Sequence, residues 1–238
     1  AVGNVLGSNI FNLLVVLGCC GAIHAFKVRL RWDFLASILV GVILLLMIFR
    51  DFFLSRGEAL ILLGLFVAFM ALTVRDAWIN RVQAEETTST LPPVRCCFYI
   101  VGGLAAIVWG GDLVVDCASE IALAFGLSQT LVGLTVVALG TSLPELVTSI
   151  VASRKGENGL ALGNVIGSNI FNILMVLAVS AAVKPIAVNL FAVIDAICLV
   201  IFSLITLVLC RSREQLSRVE GLVMLGMYAG YLVYICIR

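Results

Sequence analysis

Charge is scarce in this sequence. Aspartate, glutamate, lysine and arginine make up 12% of its 238 residues, about half the roughly 25% of an ordinary soluble domain. With 62% hydrophobic residues and a mean hydropathy of +1.18, there is more apolar surface than one water-soluble core can bury. The outside must face lipid. A net charge of +1 leaves no field to attract nucleic acid. Histidine occurs once, as His24, with no metal-ligand partner at useful spacing. The eight cysteines, Cys19, Cys20, Cys96, Cys97, Cys117, Cys198, Cys210 and Cys236, form no CxxC pair, and most lie inside apolar runs. A disulfide framework and a metal–thiolate site are thereby excluded, and small buried thiols are expected. There is no HExxH, no GxSxG and no Ser–His pair, so no enzyme and no resident cofactor is expected. A basic n-region and a cleavage site are lacking too, which excludes a signal peptide.

What is present is a series of apolar segments of membrane-spanning length, which is roughly 17–25 residues. Eight stand out, at 1–23, 33–50, 57–75, 97–124, 127–153, 160–183, 190–210 and 219–237. None alternates at period two, which argues against a β-barrel. Helices are the remaining way to satisfy a backbone in lipid, so the expected fold is an all-α integral membrane protein. The least apolar stretch holds Asp76, Glu85, Glu86, a Thr/Ser run and Pro92-Pro93. It reads as a solvated linker over 76–96, dividing a first unit, 1–75, from a second, 97–238.

The two units are copies. Residues 1–18, AVGNVLGSNIFNLLVVLG, match residues 161–178, ALGNVIGSNIFNILMVLA, at 13 of 18 positions with an offset of 160. Farther on, Arg56-Gly57-Glu58 with Gly64 resembles Arg218-Val219-Glu220 with Gly226. The second copy has two helices ahead of its GSNIFN helix, and the first has none. Internal symmetry therefore predicts five helices per repeat, ten in all, with the first two absent from this sequence, which opens on Ala1 rather than methionine. An odd number of helices per repeat inverts the second copy in the membrane, with the functional site at the midplane between copies. With the linker in the cytoplasm, 11 basic residues fall on cytoplasmic connections and 4 outside, accounting for all 15. The positive-inside rule then places the C-terminus outside.

Chemistry concentrates in Gly140-Thr141-Ser142-Leu143-Pro144-Glu145-Leu146-Val147-Thr148-Ser149. Glu145 is a carboxylate in mid-span, and by default such a residue marks an ion pathway or proton relay. No lysine or arginine lies in the middle of any span to pair with it. Pro144 has no N–H for the carbonyl of Gly140 and is expected to kink the helix there, freeing carbonyls as ligands. Thr141, Glu145 and Ser149 would share one helix face, and Ser142 adds another hydroxyl. In the GSNIFN helices, Asn164, Ser168 and Asn172 recur every four residues, as do Asn4, Ser8 and Asn12. Gly163 and Gly167, like Gly3 and Gly7, are expected to let the helices approach closely. Hard neutral oxygens around a carboxylate suit calcium, with its six to eight oxygen ligands, and sodium, and do not suit copper or iron. Taken singly, a buried Ser or Asn is equally an interhelical hydrogen bond.

GTSLPELVTS followed by GNVIGSNIFN resembles the α-repeat signature of the calcium/cation antiporter superfamily, above all prokaryotic sodium/calcium exchangers. The second α-repeat is covered over roughly 110–178 and the first only from Ala1 to Gly18. The resemblance implies a central site where sodium and calcium compete as transported ions. Glu145, Thr141, Ser142, Ser168, Asn172, Asn12 and Ser8 would be its ligands, and a bacterial inner membrane its setting. The first repeat's GTSxPE segment is not in this sequence, and both GSNIFN helices end in asparagine where some members carry aspartate.

Alternating-access antiport is the leading expectation, with segment 97–124 as a moving element. The alternatives are a proton-driven exchanger and an inactive remnant. Asp112, Asp116 and Glu120 lie four apart on that segment; Asp116 reads equally as an access-route residue or a solvated one, Asp112 and Glu120 as solvated, and Asp195 as a helix-end or packing residue.

Overall fold

The computed structural model describes residues 2–23, 25–27, 32–80, 92–126, 140–212 and 215–237. Nearly all of this is helix: α1 (Val2–Ile23), α2 (Trp32–Asp51), α3 (Arg56–Asn80), α4 (Pro93–Ala124), α5 (Leu143–Arg154), α6 (Asn158–Val183), α7 (Leu190–Ser212) and α8 (Arg218–Ile237). All except α5 are long and apolar enough to cross a membrane.

The helix ends follow local chemistry rather than hydropathy. α3 runs on to Asn80 and α4 begins at Pro93, so the expected linker yields residues at both ends to helix. Asp76-Ala77-Trp78 is polar enough to look like a connection but has nothing to break a helix, and proline is favoured in a helix's first turn. Residues 81–91, including Glu85 and Glu86, lie outside the described residues, as do His24 and residues 127–139 of the expected 127–153 span.

α3 and α8 start with the same device. The Ser55 N–H and hydroxyl donate to Glu58 Oε2 at 2.9 and 2.7 Å, and Glu58 N–H donates back to Ser55 Oγ at 3.3 Å. Ser217 N–H donates to Glu220 Oε2 at 2.7 Å, and Glu220 N–H to Ser217 Oγ at 3.3 Å. Each is a capping box, satisfying helix-end N–H groups reciprocally.

Four two-residue strands staple the repeats together. β1 (Phe26–Lys27) pairs antiparallel with β4 (Gln215–Leu216), and β2 (Phe53–Leu54) with β3 (Ile186–Ala187). The registers are images of each other: Phe26 faces Leu216 as Ile186 faces Leu54. The α1–α2 connection therefore meets the α7–α8 connection, and the α2–α3 connection meets the α6–α7 connection. Each staple joins loops at one end of the bundle, as inverted copies require.

The core forms around α1 and α6, with Leu6, Ile10, Leu14 and Leu17 on one and Val165, Ile170, Leu174 and Leu177 on the other fully or almost fully buried. α7 packs against α1 and α2, α2 against α6, α8 against the end of α1, and α3 against the end of α6. The expected close approaches at Gly3, Gly7, Gly163 and Gly167 are not seen: no described atom lies within 4 Å of a Cβ built there. The tight crossing is α1 on α8, where a Cβ on Gly221 would stand 2.6 Å from the Gly18 carbonyl oxygen and 2.5 Å from the Ala22 nitrogen. A small-residue pattern marks a smooth face without saying what covers it.

All eight cysteines are free, as the sequence suggests, but only Cys20 and Cys210 are buried, while Cys97, Cys117 and Cys236 are exposed. An apolar run faces lipid as readily as core, so hydropathy does not separate the two. Asp195 is 2% exposed and accepts the Tyr231 hydroxyl at 3.0 Å, tying α7 to α8. That is the packing role expected of it.

Candidate cation site

α5 is a half-helix. Its 12 residues span about 18 Å, against a bilayer core of about 30 Å. Arg154 closes it, and Glu145 lies nine residues back, about 13 Å along the axis. It sits in the first turn of α5, where the positive end of the helix dipole complements a carboxylate.

The expected continuous face of Thr141, Glu145 and Ser149 is corrected here. Thr141 and Ser142 form a turn ahead of α5, and Pro144 stands in its opening turn, so proline starts a helix instead of kinking one. Pro144 at that place costs no hydrogen bond inside α5. The Ser142 carbonyl accepts the Leu146 N–H at 3.0 Å, but the Ser142 hydroxyl makes no capping bond although the residue is 1% exposed. Ser149 is committed elsewhere: its hydroxyl accepts from Asn164 Nδ2 at 2.9 Å and donates to the Ala161 carbonyl at 3.5 Å, fastening α5 to α6. Asn164 also donates to the Glu145 carbonyl at 3.2 Å.

Both GSNIFN helices change winding at their last asparagine. α1 is π-helical over Asn12–Val16 and α6 over Asn172–Leu177. In α1 the Leu17 N–H reaches the Asn12 carbonyl, five residues back. Such bulges loosen the backbone ladder and occur often at functional sites. The periodic sequence pattern gives no hint of them.

Around these bulges the two repeats meet. Ser8 Oγ and Thr141 Oγ1 are 3.0 Å apart. Asn9 Nδ2 donates to the Asn169 carbonyl and Asn169 Nδ2 to the Asn9 carbonyl, both at 3.1 Å. Asn12 Nδ2 donates to Asn169 Oδ1 at 3.3 Å, and Asn172 Nδ2 to Asn9 Oδ1 at 3.0 Å. The structure thus links the expected residues in two sets, Ser8 with Thr141, and Asn12 with Asn172 through Asn9 and Asn169, while the side chains of Ser142, Glu145 and Ser168 join neither set. Asn9 and Asn169 are not among the residues singled out from the sequence. Their signal is the second asparagine that both GSNIFN copies share.

Two acceptors in this region are buried without a hydrogen-bond partner, Glu145 Oε2 and Asn12 Oδ1. An unsatisfied buried polar atom costs about 1–3 kcal/mol, more when charged. Among the described residues no three His, Cys, Asp or Glu side chains converge.

Asp112, Asp116 and Glu120 are exposed along α4, which buries none of its residues. α4 approaches α5 through Gly111, where a Cβ would touch Pro144 at 3.9 Å, and through Val115, which packs on Gly140.

Comparison with known proteins decides what this architecture is. Residues 1–75 and 97–237 match the family described as sodium/calcium exchanger protein. The chain belongs to the sodium/calcium exchanger family. The putative antiporter CaxA of Alkalimonas amylolytica is 38% identical over 97% of this chain and 76% of its own length. The inner membrane protein YrbG of Escherichia coli is 36% identical over 99% and 75%. The solved sodium–calcium exchanger NCX_Mj superposes with a TM-score of 0.81 at 31% identity, covering 98% of this chain and 76% of that one. The family places the chain among membrane transporters.

Proposed function

We propose that this exchanger carries calcium against sodium by alternating access, with Glu145, Thr141, Ser142, Ser168, Asn172, Asn12 and Ser8 as its ion ligands. Glu145 supplies charge. Ser8, Thr141, Ser142 and Ser168 supply hydroxyl oxygens, and Asn12 and Asn172 amide oxygens. The observation that carries the reading is the pair of orphaned acceptors, Glu145 Oε2 and Asn12 Oδ1, buried beside the α5 break. A bound cation would supply the positive partner that each of them lacks. Sodium and calcium, both hard and oxygen-seeking, would occupy the same oxygens in turn.

Internal symmetry assigns the first repeat counterparts of α4 and α5, and with them a second glutamate facing Glu145. α4, with nothing buried, is the element that slides or rocks to open the site to one side at a time. The linker lies in the cytoplasm and the C-terminus outside, in a bacterial inner membrane of the kind YrbG's name records.

A carboxylate such as Glu145 among neutral ligands can also trade a proton for a cation, which is the second reading. Calcium uptake into vesicles of the full-length protein separates the two. The sodium reading predicts flux driven by an outward sodium gradient and absent without sodium. Flux that persists in sodium-free vesicles under a pH gradient would move the assignment to proton coupling, and flux under neither gradient would contradict both.

A further inference from the structure

Asn9 and Asn169, which lie outside the set of expected ligands, are among the most enclosed of the described polar groups, at 0% and 3% exposure. Their hydrogen bonds have an order to them. A backbone carbonyl only accepts, so the Asn9 side-chain atom 3.1 Å from the Asn169 carbonyl has to be its amide nitrogen. That turns Asn9 Oδ1 toward Asn172, where it can be satisfied only by an N–H, at 3.0 Å. Asn172 Nδ2 is thereby committed, and its oxygen becomes the atom left for something else. The mirror sequence runs through the other repeat. The Asn9 carbonyl fixes Asn169 Nδ2 at 3.1 Å, Asn169 Oδ1 takes Asn12 Nδ2 at 3.3 Å, and Asn12 Oδ1 is left buried with no hydrogen-bond partner.

The geometry points to Asn9 and Asn169 as a reciprocal amide lock, two positioning residues that set which end of Asn172 and Asn12 faces the cation. A free asparagine side chain can present either its NH2 or its oxygen, and an NH2 turned to the site would repel the ion. Here the choice is anchored in backbone atoms, which cannot flip. The wiring is crossed: Asn9 acts through Asn172, and Asn169 through Asn12. The π-helical turns opening at Asn12 and Asn172 bring each amide to the other repeat's lock residue. The inference rests on the reading of Asn12 and Asn172 as ion ligands.

The crossed wiring gives the test. Calcium dissociation constants are measured by equilibrium binding of radiolabelled calcium to the purified full-length protein, with thermal stability followed in parallel. Asn9→Ala and Asn169→Ala are each expected to weaken binding about tenfold or more, the usual scale for losing a group that orients a metal ligand. In an Asn172→Ala background the Asn9→Ala effect should vanish while the Asn169→Ala effect remains, and in Asn12→Ala the reverse. A purely structural role predicts no such pairing, and equal losses in both backgrounds would overturn the lock. If Asn172→Ala binds too weakly to read, Asn9→Asp against Asn9→Leu decides. The carboxylate still accepts from Asn172 and should hold affinity at least about tenfold above the isosteric alkyl chain; equal affinity overturns the proposal. Failure of the unsubstituted protein to bind calcium would instead count against the exchanger reading beneath it.

Discussion

Ser142 stands at the N-cap of α5, a position where serine usually bonds a backbone N–H, yet its hydroxyl makes no such bond. Replacing a capping serine by alanine costs about 1 kcal/mol. Ser142→Ala is therefore expected to leave thermal stability within a few tenths of a kcal/mol of the parent, while raising the calcium concentration for half-maximal flux severalfold. Flux assays beside a melting curve check it, and a stability loss with unchanged flux would make Ser142 a cap after all. The sequence made residues of this kind visible by type and spacing: Glu145 through its mid-span charge, Ser8 and Asn12 through duplication at 168 and 172. It did not separate ligand from glue. Ser149 sits in the same motif as Thr141 and Glu145, and only the contact with Asn164 shows that its hydroxyl is spent on joining helices. Nor did it disclose Asn9 and Asn169, whose side chains matter through partners 157 to 163 residues away.

Among the elements, the two copies of one helix crossing differ by methyl groups. α1 meets α8 through Gly18, Gly21 and Gly221, whereas the corresponding crossing of α6 and α3 uses Ala178, Ala181 and Ala59, all fully buried. A Cβ at Gly221 would run into backbone atoms of α1, which cannot rotate aside. Gly221→Ala is expected to destabilise by about 2–3 kcal/mol through overpacking. The opposite change at its counterpart, Ala59→Gly, should cost only about 1 kcal/mol from helix propensity and the lost methyl. Thermal or denaturant unfolding in detergent compares them, and equal effects would show that the α1–α8 crossing relaxes freely. The spans themselves were legible because helix length and apolar content are set by the bilayer. Their interruptions were not: the break before Leu143 and the bulges at Asn12 and Asn172 depend on what packs across the site, which no single segment's periodicity records.

For the whole molecule, the strand staples fix how the repeats interlock. Paired antiparallel residues hold their Cα atoms about 4.5–5.5 Å apart, within reach of a disulfide. In a protein stripped of its native cysteines, Phe53→Cys with Ala187→Cys is expected to cross-link on oxidation. Single cysteines at Ala187 and Gln215 should be labelled by a membrane-impermeant thiol reagent from opposite sides, Ala187 from outside and Gln215 from the cytoplasm. Labelling of both from one side would contradict the inverted arrangement. The sequence foreshadowed this inversion through the 160-residue repeat and the distribution of lysine and arginine, whereas the reciprocal pairing that ties the copies together lies in four dipeptides with no motif of their own.

The central claim is that Glu145 is the charged ligand through which sodium and calcium compete. Sodium-gradient-driven calcium flux in vesicles, compared between the full-length protein and its Glu145→Gln variant at equal membrane abundance, tests it most directly. The account predicts sodium-dependent flux that falls to background in the variant while the melting temperature is kept or raised, since the substitution removes a buried charge. Undiminished sodium-dependent flux in Glu145→Gln would contradict it.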